Sequence, residues 1–162
     1  MAKRKKAYLK GDWDKTFNWL NGIISGKITR EVGSYVGDIG KEVKNAVVAH
    51  IMSQDIPWKK LADITIYKKG HRKKYLDTHT FVQAIVSEIV KSSDGFTVTV
   101  YPKGTAENGL DLSKLAYYLE MGTSRGLPSR PLWRRTVQEV VSGRDSKLNK
   151  TLEEVAKRYA NV

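Results

Sequence analysis

One stretch constrains this chain more than any other. From Ile24 to about Asp55, apolar residues return every three or four positions: Ile24, Ile28, Val32, Tyr35, Val36, Ile39, Val43, Val47 and Ile51. That is the period of an amphipathic helix with one buried face. Pro57 ends it, since proline has no N–H to donate and cannot continue the helix. Roughly 30 residues at 1.5 Å each reach about 45 Å, longer than most helices of a single domain. Gly33, Gly37 and Gly40 lie on a second, narrower stripe of the same helix. Each costs about 1 kcal/mol against alanine in a helix interior. Two readings follow: close approach by another backbone, such as that of a neighbouring subunit, or a bend or break in the helix.

The rest of the chain is read against that rod. Residues 1–11 are polar and basic and are expected to form a flexible N-terminal arm. Trp13, Phe17 and Leu20 recur at helical spacing, a short docking helix closed at Asn21-Gly22. After Pro57, Leu61, Ile64 and Ile66 suit either a short helix or a brief strand, and Lys68 to Lys74 around Gly70 reads as an exposed loop. A polar turn, Asp77-Thr78-His79-Thr80, leads to a helical turn near 79–83 and a strand over about 84–91. Asp94-Gly95 signals a hairpin. Phe96 to Tyr101 alternates as a half-buried strand does and stops at Pro102. Ser113 caps a helix over about 114–121, which Gly122 stops. Ser129 and Pro131 open another helix whose apolar face is Trp133, Val137, Val140 and Val141. Beyond Gly143, Leu148, Leu152, Val155 and Tyr159 form a last stripe. The expected fold is a single α+β domain over 12–162: a long N-terminal helix, a small antiparallel β-sheet, and C-terminal helices packed on it.

Composition narrows the function classes. A chain of 162 residues, 40% hydrophobic, buries a core of its own. It has no cysteine, which excludes disulfides and thiolate metal sites. No apolar run approaches the ~18 residues of a membrane span. The basic N-terminus lacks the apolar segment of a secretory signal. The formal net charge of +12, from 29 Lys and Arg against 17 Asp and Glu, is clustered. Lys3, Arg4, Lys5 and Lys6 lie in the arm. Lys59 and Lys60 precede the run of Lys68, Lys69, Arg72, Lys73 and Lys74. Arg125, Arg130, Arg134 and Arg135 follow later. Such clusters attract nucleic acid, anionic lipid or acidic protein surfaces, or they form a solvated basic surface with no dedicated ligand. Basic residues interleaved with Tyr67 and Tyr75 are suited to stack on bases.

Nothing in the sequence makes a case for catalysis. His50 lies beside the apolar face of the long helix and reads as a packing residue, and His71 sits among lysines. Asp77 and His79 together supply only two ligands, which do not make a metal site. Ser34, Ser53, Ser87 and Ser113 have no context that activates a nucleophile. Glu153-Glu154 is surface charge on an amphipathic helix. No phosphate-binding glycine loop is present. No metal and no cofactor are expected.

Four short motifs stand in order. Pro57-Trp58-Lys59-Lys60-Leu61 is followed by Thr65 and Lys68-Lys69. Leu76-Asp77-Thr78-His79-Thr80-Phe81 is followed by Ile85. Then come Glu120-Met121-Gly122-Thr123 and Arg130-Pro131-Leu132-Trp133. Together they resemble the small tail-completion and neck proteins of phage, including the Mu-like virion-morphogenesis proteins, over about residues 57–141. His79 stands where that family has glycine, which argues against a positive-φ turn at this point. The resemblance implies an α+β subunit, with no catalytic residues, that assembles into a ring, commonly a homo-hexamer, at the head–tail junction of a virion made in the host cytoplasm. It implies as partners further copies of itself, the head connector or adaptor, and tail-terminator or tail-tube proteins. The resemblance further implies a lumen wide enough to pass genomic DNA, and no membrane partner.

Asp77, Thr78, Glu120, Gly122, Thr123, Arg125, Arg130, Pro131 and Trp133 are then the assembly residues. Gly33, Gly37 and Gly40 are a face for subunit packing. Lys3, Arg4, Lys5, Lys6, Lys68, Lys69, Arg72, Lys73 and Lys74 are basic docking residues. Within the motif, Gly122-Thr123 is read as stopping a helix and re-aiming the chain across the sheet. The Arg125–Arg130 loop is read as exposed, Pro131 and Trp133 as anchoring the next helix, and Glu120 as sitting near Arg125 or Arg130. A tail-terminator ring and a basic nucleic-acid-binding module are the alternative functions.

Overall fold

A computed structural model describes residues 17, 20–22, 26–70, 72–75, 79–93, 95–142, 144, 149–150, 153–154 and 157. The N-terminal arm, with Lys3, Arg4, Lys5 and Lys6, lies outside the described residues, as do Trp13, His71, Asp77 and Thr78. The chain sorts into two compact units, residues 1–32 with 145–162, and residues 33–144, where the sequence reading has one domain after an arm. In the first unit the described residues from Phe17 to Gly22 and from 149 to 157 are helical. The α+β core occupies the second.

The long helix is present. α1 spans Lys27–Ser53. It follows Gly26, which sits at φ 70 and accepts from the Arg30 N–H at 3.0 Å. Its end comes before Pro57: Gln54 turns left-handed at φ 57 and donates its N–H back to His50 O, closing the helix as a C-terminal cap residue does. The Gln54 amide then grips the next strand of chain. Its Nε2 donates to Lys74 O at 3.0 Å and its Oε1 accepts from Lys74 N at 2.7 Å.

The ambiguous segment is helical. α2, Asp63–Lys69, stops at Gly70, which adopts φ 71 and donates to Ile66 O. Lys68 and Lys69 therefore belong to a helix end, where cations offset the helix dipole, and not to the loop expected there. α3, Thr80–Gln83, and β1, Ile85–Ser92, follow. His79, ahead of α3, keeps positive φ, at 56°. The histidine thus occupies a glycine-like conformation that the sequence argued against. Histidine is among the few non-glycine residues that visit this region. Replacing His79 with glycine is expected to raise stability by about 0.5–1 kcal/mol, as the left-handed strain is relieved faster than unfolded-state entropy grows. Urea denaturation measures it.

β1 pairs antiparallel with β2, Gly95–Pro102, from Ile85↔Pro102 to Ser92↔Gly95. This hairpin explains the glycine stripe. Its register places Ser87 beside Val100, Ile89 beside Val98 and Lys91 beside Phe96 on one face. That face lies on α1. A Cβ at Gly33 would stand 2.8 Å from the Phe96 ring, and one at Gly40 would collide with Val98 Cγ2 and Ser87 Oγ, whereas one at Gly37 would meet only Ile89 Cδ1 at 3.9 Å. The close approach is made by this chain's own hairpin. The stripe is filled from within and is not a free face for a neighbouring subunit, and α1 runs through it unbroken. Gly37→Ala is therefore expected to stabilise by about 0.5–1 kcal/mol through helix propensity alone. Gly40→Ala is expected to destabilise by about 1–2 kcal/mol, because overpacking outweighs that gain. Equal effects in urea titrations would remove the packing account.

α4, Leu112–Met121, lies against β2. Its cap is Asp111, whose side chain accepts from Lys114 N at 3.0 Å; Ser113, the residue expected to cap, instead donates its hydroxyl to Pro102 O at 2.8 Å. α5, Trp133–Val141, is tied to α1 through Glu139 and His50. The core of this unit is Val43, Val47 and Ile51 of α1, with Ile56, Trp58, Tyr75, Phe81, Ile85, Leu112, Ala116 and Leu132. On the opposite face of the hairpin Glu88 accepts from Tyr101 Oη at 2.8 Å and from Lys103 Nζ at 2.9 Å.

Candidate functional site

Segments distant in sequence meet at residues 130–134. α4 ends at Gly122, whose N–H donates to Tyr118 O and whose backbone adopts φ 77, ψ −178. The chain then folds back on the helix it has just left. Thr123 N donates to Leu127 O at 2.9 Å and Gly126 N to Thr123 O at 3.1 Å. Ser129 Oγ donates to Glu120 O at 2.6 Å, and Arg130 N donates to Leu119 O at 2.7 Å. These bonds satisfy carbonyls that the end of α4 leaves without an intrahelical partner. Gly122 and Thr123 re-aim the chain along α4 rather than across the sheet.

Glu120 does not pair with an arginine of this loop. Its carboxylate accepts from Leu132 N at 2.6 Å, Trp133 N at 3.1 Å and Arg134 N at 3.2 Å. Those are the free donors at the N-terminus of α5, whose N-cap residue, Leu132, supplies no side-chain cap of its own. A carboxylate supplied from α4 takes the place of the local Ser, Thr, Asp or Asn, and its negative charge meets the positive end of the helix dipole.

Two aromatic residues hold the same backbone from the other side. Trp58 Nε1 donates to Pro131 O at 3.0 Å, and Tyr75 Oη donates to Arg130 O at 2.5 Å. The Trp58 and Tyr75 rings lie 5.2 Å apart, and those of Tyr75 and Phe81 lie 5.7 Å apart. Tyr75 is 6% exposed, so it is unavailable to stack on bases, and burial pushes its hydroxyl pKa well above the usual phenol value. Tyr67, by contrast, is 85% exposed.

Arg130 departs furthest from expectation. Read as part of an exposed loop, it is 3% exposed, and its Nε is buried without a hydrogen-bond partner. Burial lowers its pKa. It is drawn in because its own N–H and C=O are fixed to Leu119 and Tyr75. Arg125 stays exposed at the loop tip, while Pro131 is exposed and Trp133 half-buried against the core. Beside Arg130 a cleft of about 660 Å³ opens among α2, Lys74, α4 and the 125–130 loop. Lys59, Lys60, Lys69, Lys74 and Arg125 line it with Arg130, and none of its described lining residues is acidic. Of the predicted docking residues, Lys69 and Lys74 reach this cleft; Lys68, Arg72 and Lys73 are exposed and do not line it.

His50 is more than a packing residue. Its Nδ1 lies 2.9 Å from Asp55 and its Nε2 lies 3.0 Å from Glu139. The hydrogen bond from His50 holds the Asp55 carboxyl below its ordinary value, and those from Arg135 and then His50 do the same for Glu139. Depressed carboxyl pKa values contribute stability that is present above the unfolded values and lost as pH falls through the folded ones. The melting temperature is therefore expected to drop as pH falls below about 4.5, and Glu139→Gln to make that drop shallower. A drop of unchanged steepness in calorimetry would sink this account.

Among the described residues no three His, Asp or Glu side chains gather as a metal-binding group, and no helix is long and apolar enough to cross a membrane. Comparisons with known protein families, curated proteins and solved structures find no match to this chain. Sequence reasoning named the motif residues but missed the structural partners Tyr75, Gln54 and Asp111. Asp111 had a signal, an acceptor three residues before Lys114; the other two depend on contacts remote in sequence.

Proposed function

We propose that this chain is a structural component of a phage neck, a tail-completion or head–tail connector protein that assembles into a closed ring. One observation supports the reading above others. The segments that carry the resemblance, separated in sequence, build one unit: Trp58, Phe81, Glu120 and the Arg130–Trp133 backbone all belong to it. A motif whose residues serve the architecture of a subunit fits an assembly protein. The exposed apolar residues fit as well. On α4, Tyr117 is 62% and Met121 53% exposed, one helical turn apart. Tyr118, Val137 and Val141 are also exposed. With the glycine stripe filled by the hairpin, these side chains are the better subunit contacts. A head-to-tail contact repeated around a rotation axis closes such a ring.

A nucleic-acid-binding module remains the second reading, because α2 buries none of its residues and presents Tyr67 beside Lys68. The deciding experiment is cryo-electron microscopy of host-assembled particles, with local symmetry at the head–tail junction. Density for this chain in a ring there establishes the neck role, and the adjoining proteins separate completion from tail termination. Absence from a well-resolved junction, together with duplex binding that weakens steeply with salt, establishes the other.

A further inference from the structure

The cleft beside Arg130 combines basic and apolar side chains. Six cationic side chains line it and no described acidic one does. Its other walls are mostly apolar, with Leu61, Leu115, Leu119, Leu127 and Pro128. At about 660 Å³ it falls in the range of about 300–1,000 Å³ that receives a few side chains or a small ligand. The Arg130 guanidinium borders it with Nε unpartnered and the residue 97% buried, since its relative exposure is 3%. A buried N–H without an acceptor is costly, and an acceptor brought to it removes that cost.

We propose that this cleft captures an acidic, apolar peptide segment from another protein, seating a carboxylate on Arg130 and an adjacent apolar side chain against Leu115, Leu119 and Leu127. Charge complementarity selects the occupant: every charged residue of its described lining is cationic, and the chain as a whole carries +12. The apolar walls select a peptide over a nucleic-acid backbone, because a sugar–phosphate chain would set its charges against Leu115, Leu119 and Leu127 without a partner. Arg130 specifies the carboxylate, while Lys60 and Arg125 at the rim steer its approach. The inference stands apart from the virion reading, since it needs only an acidic partner segment and no ring.

The test uses the full-length chain and random octapeptides displayed on filamentous phage. Selection is expected to enrich sequences with Asp or Glu next to Leu or Phe. The leading peptide, made with a fluorescein label, is expected to lose affinity about tenfold or more when its acid is changed to the amide, and likewise on Arg130→Met. Urea denaturation of Arg130→Met checks that the fold is retained. Lys60→Glu with Arg125→Glu, both exposed, gives an independent variant with the same expected loss. Enrichment without an acidic consensus overturns the proposal. So does a peptide that binds these variants as well as it binds the parent chain. Tighter binding of single-stranded oligothymidine, or of vesicles of phosphatidylserine, with the same dependence on Arg130 assigns the cleft to another ligand and also overturns it.

Discussion

Glu120→Ala is expected to lower the unfolding free energy by about 2–4 kcal/mol. The carboxylate accepts three backbone N–H groups at the start of α5, at 2.6, 3.1 and 3.2 Å. Loss of a side-chain cap costs about 0.5–2 kcal/mol, and hydrogen bonds to a charged group contribute about 1.5–3. Leu132, whose N–H makes the shortest of the three bonds, is fully buried, so water does not readily replace the lost acceptor there. Glu120→Gln keeps an acceptor oxygen but loses the charge facing the helix dipole, and about 1 kcal/mol is the expected loss. Arg125→Ala separates the cap from an ion pair. Under the cap it changes stability by less than about 0.5 kcal/mol, as other exposed substitutions do. Under an ion pair with Glu120 it would match the glutamate's own loss. Urea denaturation of the three variants decides between them.

What was legible in the sequence followed from how local each signal is. The period of α1 and the alternation of β2 each lie within one element, and both elements are where the pattern puts them. The glycine stripe announced a close approach, but periodicity names a face and not what covers it. The cover is Phe96, Val98 and Ser87, some 50 to 60 positions away. α5 carried a subtler clue. Its N-terminus has leucine where an acceptor belongs, so an acceptor had to come from elsewhere. Ser129 looked like that acceptor and instead turns back to Glu120 O.

Arg130 and Tyr75 were misread for a common reason. Arginine and tyrosine in polar stretches read as surface, and in these two residues the backbone decides otherwise. Tyr75 adopts φ 59, and the Arg130 N–H and C=O are both committed to other elements. The side chains follow the backbone inward. The guanidinium that results has no acidic partner among the described residues, which is the feature the cleft turns to use. Structure that holds the 130–134 backbone thus also sets the cleft beside it, and a change that frees this backbone reaches the binding surface without touching a lining side chain.

Gly122→Ala is such a change, and the largest single effect is expected there. A Cβ at this position would lie 2.7 Å from Leu127 O, 2.8 Å from Ser129 N and 3.3 Å from Pro128 C. All three are backbone atoms and cannot swing aside as a side chain does. The conformation, φ 77 with ψ −178, belongs to a region that only glycine visits readily. Strain of about 1–3 kcal/mol adds to about 1–3 kcal/mol for the forced shift. The expected loss is therefore about 3–5 kcal/mol, a large part of the 5–15 kcal/mol that holds a typical domain together. Gly126 is the control. It too has positive φ, 96°, yet a Cβ there meets nothing within 4 Å, so Gly126→Ala is expected to cost only about 1 kcal/mol of backbone strain. Urea titration of the two variants separates collision from conformation. If both lose the same, the backbone contacts of the loop with α4 do not hold the site. If Gly122→Ala alone loses most of the stability, the fold-back of residues 123–130 is what positions Arg130, and peptide binding should fall with it.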